Sequence, residues 1–489
     1  MSTKTTRRAF VASSFAASFA MAADVPKDPS EKPKAPDAPA EPKAGEAGGA
    51  GAPKQKEKAP TTTQEVRLRV ALVGAGGQGR HVMKNVLAQK QDVVAICDLD
   101  EKQLAQGFKE GGEPVKAAKS YTDFRKLLDD AKSFDAVIVA TPDHWHAPLC
   151  TAFIKAGKHV YCEKPLTNTI ADARALRELV RSNPKIVTQM GNQGSAENSL
   201  RRSVELIRAG VLGQVREVHA WLGNKGPSKG IDKPTESDPI PAGFNWDAWC
   251  GPSGYRPYKK SIYHPFSWRN WYDFGNGGLA DFCCHIYNTA LRALDLTYAT
   301  KIEVAGENLG REHYGTTNQL KMHFPARPAK DGDRGQLDPV TLHWYDGGRK
   351  PPEELTKDVV EQYKKVPDGG SLIVGERGYI YTNPWNVGAM IKLKDDAKLR
   401  DVLTHEPTKD VPQVYARKVN HVREWINACK GEGKTWSDFD FGGHLTEIGL
   451  TGVLALRMGK DITWDGERMK ADAAGAETIV KREWRRAWL

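Results

Sequence analysis

The sequence predicts an α/β protein whose first folded part is a parallel, doubly wound sheet. Three observations carry this. From residue 67 onward, apolar runs of strand length alternate with amphipathic stretches of helix length. The first run, Val70-Ala71-Leu72-Val73, leads at once into Gly74-Ala75-Gly76-Gly77-Gln78-Gly79 and a helix beginning near Arg80. A second run, Asp92 to Cys97, ends in Asp98, 19 residues past Gly79.

The glycines form G-x-G-x-x-G in the strand–turn–helix context that a dinucleotide site requires. Gly74 permits the tight turn, Gly76 lets backbone approach a pyrophosphate, and Gly79 lets the helix pack on the strand, with Gly77 and Gln78 in the same loop. Phosphates at the helix N-terminus meet free N–H groups and a favourable dipole. A carboxylate at Asp98 accepts from ribose hydroxyls and repels a 2′-phosphate, so the predicted cofactor is NAD in preference to NADP. These features define a Rossmann domain, and the elements after them keep its rhythm. Thr122 caps a helix through about Asp130, and 136–140 is an apolar strand. A helix from about Ala147 stops at Gly157, and 159–162 is another strand. Ligands lie at the carboxyl ends of such strands. That directs attention to Thr141-Pro142-Asp143-His144-Trp145-His146 and to Glu163-Lys164-Pro165.

With these motifs in order, residues 67 to the end resemble the glucose–fructose oxidoreductase / inositol dehydrogenase / MocA (Gfo/Idh/MocA) family, including Gln189-Met190-Gly191-Asn192-Gln193. The resemblance implies a second α/β domain with a large open mixed or antiparallel sheet, whose free face serves as an oligomer interface. It implies that Lys164 sits beside the nicotinamide and contacts a substrate hydroxyl. A cation there stabilises developing alkoxide. It also implies that Asp281 and His285, at i and i+4 on one helix face, supply the base and its partner. Thr141, Pro142, His144, His146, Glu163 and Gln193 are then expected to line the cofactor with Lys164. Many relatives carry an acidic residue three positions after the histidine; here it is Asn288. His144 and His146 lack a third ligand at metal spacing, so no metal is predicted. Cys283 and Cys284 read as packing.

Ten aromatic residues lie between Phe244 and Tyr272. Ring faces suit the C–H faces of a sugar, and they equally suit an inter-element core or a dimer contact. Trp268, Arg269 and Tyr272 are candidates for substrate contact alongside Lys164 and His285. Runs at 302–305, 320–324 and 340–345 read as strands. Val419, Val422, Ile426 and Cys429 form one apolar helical stripe, and a further helix covers 442–459.

Composition bounds the function classes. The 489 residues are 39% apolar and 27% charged, with a formal net charge of +10. Residues 1–64 hold ten Lys/Arg and seven Asp/Glu, so three of those ten charges lie outside the folded body, and no basic block marks a nucleic-acid partner. No run approaches the ~20 apolar residues of a membrane span. Seven cysteines form no C-x-x-C pair and no even disulfide framework. Thr6-Arg7-Arg8-Ala9-Phe10, followed by a small-residue-rich apolar run, resembles a twin-arginine signal peptide ending at Ala22 or Ala23. That route exports folded proteins through the twin-arginine machinery, to a periplasmic or secreted destination. Residues 24–64 are a Pro-, Ala- and Lys-rich linker too poor in apolar surface to fold. The expected organisation is signal 1–23, linker 24–64, Rossmann domain 65–186 and substrate and oligomerisation domain 187–489.

The leading functional expectation is hydride transfer between nicotinamide and a secondary hydroxyl of a sugar, cyclitol or glycoside. The cofactor stays bound, since an exported enzyme has no free NAD pool to exchange with. The alternative is glycoside cleavage by oxidation, elimination, addition and re-reduction. A non-catalytic carbohydrate-binding relic is disfavoured by the presence of Lys164, Asp281 and His285 together.

Overall fold

β1 (Arg69–Val73) is continuously apolar because it lies inside a six-stranded sheet, covered on both faces, and its last four residues are buried. The computed structural model describes residues 66–223, 233–307 and 309–488, so the twin-arginine segment and the 24–64 linker fall outside the described residues. After β1 come α1 (Gly77–Ala88), β2 (Asp92–Cys97), α2 (Glu101–Gly111), β3 (Lys119–Tyr121), α3 (Phe124–Asp129) and β4 (Ala136–Val139). They are followed by α4 (Asp143–Lys155), β5 (His159–Cys162), α5 (Ile170–Arg181) and β6 (Thr188–Met190). All strands are parallel in the order β3-β2-β1-β4-β5-β6. The direction of winding reverses between β1 and β4, which opens a crevice at their carboxyl ends.

Three local expectations shift. Asp123, not Thr122, caps α3, its carboxylate accepting from the Arg125 N–H. α4 starts at Asp143 rather than near Ala147, because Pro142 is pre-set for the N-cap and Asp143 suits the first turn. His144 and His146 are therefore helical. The first sheet also runs past residue 186: β6 pairs with β5 from Thr188 to Met190.

The chain continues through α6 (Asn198–Arg208), β7 (Val215–Leu222), α7 (Trp246–Cys250), α8 (Gly277–Ile286), α9 (Asn288–Ala293), β8 (Lys301–Glu307) and β9 (Thr317–Phe324). A short ribbon, β10 (Arg327–Pro328) and β11 (Gln336–Leu337), precedes β12 (Val340–Tyr345), α10 (Glu353–Tyr363), β13 (Gly369–Gly375) and β14 (Gly378–Thr382). Then come β15 (Met390–Leu393), β16 (Arg400–Asp401), α11 (His421–Cys429), α12 (Phe439–Met458), β17 (Ile462–Asp465) and β18 (Lys470–Ala471). The second sheet has ten strands, β16-β15-β14-β13-β7-β12-β9-β8-β17-β18. It is mixed, since β7 and β12 run parallel while its other neighbours are antiparallel. One face buries Val218, Ala220, Leu320, Met322 and Trp344 in the same core as Leu279 and Cys283 of α8 and Val453 of α12. A Cβ on Gly449 would lie 2.2 Å from the Cys283 sulfur, so glycine lets α12 press directly against α8. No helix among the described residues is long and apolar enough to cross a membrane.

The C-terminal helices return to the first sheet. Val422, Trp425 and Ile426 pack with Val82, Met83 and Val86 of α1, and Cys429 joins them, but Val419 precedes the helix and is not part of its apolar stripe. α12 meets α5 through a buried ion triad: Glu447 is fully buried and accepts from Arg174 at 2.5 Å and Arg177 at 2.9 Å. Removing one member strands the others in low dielectric. Glu447→Ala is therefore expected to lower unfolding stability by about 3–5 kcal/mol, read as the shift of a urea unfolding midpoint at unchanged slope. A shift within the error of the wild-type midpoint would refute the assignment.

Candidate active site

The crevice begins at the glycine turn. Gly74 has φ +92°, and a Cβ there would lie 2.6 Å from the Ala140 carbonyl oxygen. A Cβ on Gly79 would lie 1.9 Å from the Gly74 oxygen, so the helix start and the turn are in backbone contact. Gly76 faces open space, the room a pyrophosphate needs. Asp98 is held by the same turn, accepting from the Ala75 N–H at 2.7 Å and the Asp100 N–H at 2.9 Å. Burial pushes its carboxyl up to about 6 despite those two hydrogen bonds. Gln78 donates to Glu163 at 3.0 Å, linking the glycine loop to the end of β5. Gln193 joins the same carboxylate at 3.4 Å. Burial raises the Glu163 carboxyl to about 7.

The chemistry sits where β5 meets α8. Lys164 donates to the Asp281 carboxylate at 2.8 Å and to the Asp281 carbonyl at 3.2 Å. Arg269 stands 4.0 Å from the same carboxylate, with its guanidinium over the Trp268 ring at 4.1 Å. Burial opposes ionisation of Asp281, but Lys164 and then Arg269 overcome it and hold its carboxyl below the ordinary value. One helical turn on, His285 is 1% exposed, and neither ring nitrogen has a hydrogen-bond partner among the described residues. Burial, and then the Lys164 charge, press its pKa to about 3, so the ring is a neutral base at physiological pH. The Trp385 ring lies 4.8 Å from it.

Several expected residues have other duties, and the structure corrects them. His144 has one ring nitrogen 2.8 Å from the Trp249 carbonyl and the other 3.3 Å from that of Phe274. His146 lies between the carbonyls of Thr141 and Pro165, both at 2.8 Å. Both imidazoles are buried, and neither keeps a nitrogen for a cofactor. His146 instead ties the loop after β4 to the Lys164-Pro165 turn. Tyr272 is core: its ring packs near Tyr314, and Arg482 donates to its carbonyl. Trp268 is buried and acts as a platform for Arg269. Asn288 donates to Ser195 at 2.9 Å and accepts from Arg292 at 2.9 Å, so both ends of its amide are engaged in packing. Cys283 and Cys284 are buried free thiols. Among the described residues no group of three or more His, Cys, Asp or Glu is arranged to hold a metal.

Two residues have features to which the sequence reading assigned no role. Asp143, at the start of α4, is 2% exposed, and its Oδ1 has no partner. Burial, then the negative charge of Asp281, raise its carboxyl well above the ordinary range against the pull of Arg269 and Lys164. The other is Trp385, 44% exposed, from the loop after β14. Their only signal was position: Asp143 follows a strand end, but Asp281 and Arg269, two of the charges that tune it, lie more than 100 residues away. Thr141 Oγ1, Asn168 Oδ1 and Asn276 Nδ2 are likewise buried without partners. A site rich in orphaned donors and acceptors, beside a crevice with room at Gly76, fits a polar nucleotide and a hydroxylated substrate.

Comparison with known proteins agrees with the two-part fold. Residues 68–190 match the model of an oxidoreductase family's NAD-binding Rossmann fold, and residues 221–330 match its C-terminal alpha/beta domain. Inositol 2-dehydrogenase of Salmonella typhimurium is 29% identical over 154 residues, 31% of this chain and 45% of that protein. Alpha-N-acetylgalactosaminidase of Tannerella forsythia is 28% identical over 180 residues, 35% of this chain and 38% of that protein. The chain thus spans less than half the length of these curated relatives. The WlbA dehydrogenase of Bordetella pertussis, solved with NADH and UDP-GlcNAcA, shares the fold. It has a TM-score of 0.54 and 15% identity, with 82% of this chain and 99% of that chain covered. Levoglucosan dehydrogenase, solved with NADH and levoglucosan, superposes with a TM-score of 0.55 at 17% identity, over 81% of this chain and 99% of that chain.

Proposed function

We propose that this chain, whose residues 68–190 and 221–330 match the NAD-binding and C-terminal models of the Gfo/Idh/MocA oxidoreductase family, moves a hydride between a nicotinamide cofactor and a secondary hydroxyl of a sugar, cyclitol or glycoside. The observation that carries this reading is the junction of Lys164, Asp281 and a neutral, unpartnered His285 at the carboxyl end of β5. The N–H groups at the start of α1 would hold the pyrophosphate and Asp98 the adenosine ribose, while Glu163 and Gln193 would flank the nicotinamide half. NAD held there would supply the hydride acceptor for the substrate carbon. Lys164 places positive charge at the substrate oxygen, where negative charge grows as the O–H proton leaves. His285 takes that proton on a free ring nitrogen. Asp281 holds the Lys164 ammonium in place, and the Asp98 carboxylate favours NAD over NADP.

A second reading, glycoside cleavage with no net redox change, gains from Asp143. Two neighbouring carboxyls pushed in opposite directions, Asp281 down and Asp143 up, form the kind of base-and-acid pair that an elimination and re-addition needs. Arg7-Arg8 supports export by the twin-arginine route, and outside the cytoplasm a resident cofactor suits either reading.

Denaturing the purified full-length protein and identifying released nucleotide by mass spectrometry tests the cofactor. Near-stoichiometric NAD(H), without NADP(H), is expected. A protein that arrives empty and binds no added NAD would sink the oxidoreductase reading. Aglycone release from a glycoside without net NADH would select the second reading over the first.

A further inference from the structure

The aromatic segment after β7 forms its own buried cluster, with Phe244, Trp246, Trp249, Tyr258 and Tyr263 packed together, and its backbone ties give that cluster a particular place in the fold. Its backbone is tied first to the residues just after β2. The Glu101 N–H donates to the Gly243 carbonyl at 3.0 Å, the Asn245 N–H donates to the Leu99 carbonyl at 3.1 Å, and Phe244 forms an isolated bridge with Asp100. Farther along, His264 reaches back to the Asp100 carboxylate at 3.0 Å, its ring 4.6 Å from that of Phe244.

The same segment is then tied to the residues just after β4. The Trp249 carbonyl lies 2.8 Å from the His144 ring, and Trp145 Nε1 donates to the Ala248 carbonyl at 3.2 Å. β2 and β4 are the two neighbours of β1. A segment anchored beyond both of their carboxyl ends therefore bridges the end of β1, where the glycine turn waits for a dinucleotide. One anchor is shared with the cofactor site itself: Asp98 accepts from the N–H of Asp100, the residue that the strap grips. The strap is also braced from outside, since Arg485 pairs with Asp247 at 2.8 Å and donates its N–H to the Pro252 carbonyl at 2.7 Å.

We propose that residues 241–264 form a wall of the dinucleotide site, a strap that closes over the adenosine half and makes cofactor release slow. The proposal rests on the cofactor reading above and adds the element that keeps the nucleotide in place. Its physical basis is that a nucleotide enclosed between the glycine turn and the strap leaves only after the 99–101 and 144–145 ties open together. Substitutions that weaken such a closure act on the dissociation rate far more than on association.

The test is a chase. The full chain is loaded with NADH, mixed with a large excess of NAD⁺, and the loss of bound-NADH fluorescence is timed. His264→Ala removes the tie to Asp100 with a side chain only partly buried, and Phe244→Ala removes the ring beneath it. Each is expected to speed release by about tenfold or more, with the association rate within about twofold of wild type. Should Phe244→Ala unfold, His264→Ala alone carries the comparison. Wild-type release as fast as that of the variants would overturn the strap and leave the cofactor reading intact. Slow release unchanged by either substitution would overturn it equally. A chain that binds no NADH at all would overturn the cofactor reading, and the strap with it.

Discussion

Lys164→Met is expected to lower turnover by about 10²–10³-fold, the loss typical when one preorganised donor to a developing oxyanion is removed. Methionine keeps much of the stem's volume but cannot place charge on the substrate oxygen. NADH binding, measured by fluorescence titration, should stay within about threefold of wild type, because the proposed cofactor contacts come from the glycine turn, Asp98 and Glu163. Lys164→Arg should rescue little: a planar guanidinium cannot reproduce a point ammonium held 2.8 Å from Asp281. The substitution has a second consequence inside the site. Lys164 is the strongest attraction keeping Asp281 ionised against burial, so without it the Asp281 carboxyl should titrate higher. A Lys164→Met enzyme with unaltered kcat would remove Lys164 from the chemistry.

His285→Gln is expected to cost about 10²–10⁴-fold in turnover, the range for loss of a positioned general base. Its pH behaviour is more diagnostic than its size. A histidine pressed to about 3 is already neutral well below the ordinary imidazole range. The sign follows from that shift: a lowered pKa keeps the proton-accepting form populated down to acid pH, and it is lost only as pH falls through about 3. Other groups in the crevice do titrate nearer neutrality, among them Asp98 and Glu163, so the whole profile will not be flat. The ratio of wild-type to His285→Gln rates, however, should be constant between pH 5.5 and pH 8. If that ratio instead falls away below about pH 6.5, the imidazole is solvated and the buried, unpartnered His285 described above is wrong.

Much of the framework was legible because its determinants are local. A strand, a glycine turn and a helix N-terminus occupy consecutive residues, and so do Asp281 and His285 on one helical turn. The order of alternating elements predicted a parallel sheet, and the sheet has that order. What failed did so where partners come from far along the chain. His144 and His146 follow β4, as ligand-binding residues often do, yet Trp249, Phe274 and Pro165 supply the carbonyls their nitrogens face. Tyr272 looked like part of a sugar platform but packs beside Tyr314, and Asn288 is held by Ser195 and Arg292.

The sequence by itself determined which residues could do chemistry here: a glycine turn for phosphates, a carboxylate for a ribose, a lysine at a strand end and a base one turn from an acid. These are properties of residue type and short spacing. Only the tertiary structure decided their states. Asp143 and Asp281 are the same side chain, yet Lys164 and Arg269 hold the pKa of one below the ordinary carboxylate value, while burial and its neighbour's charge push that of the other well above it. Ionisation and hydrogen bonding depend on desolvation and on charges within a few ångströms, and in a folded chain those neighbours lie tens to hundreds of residues away.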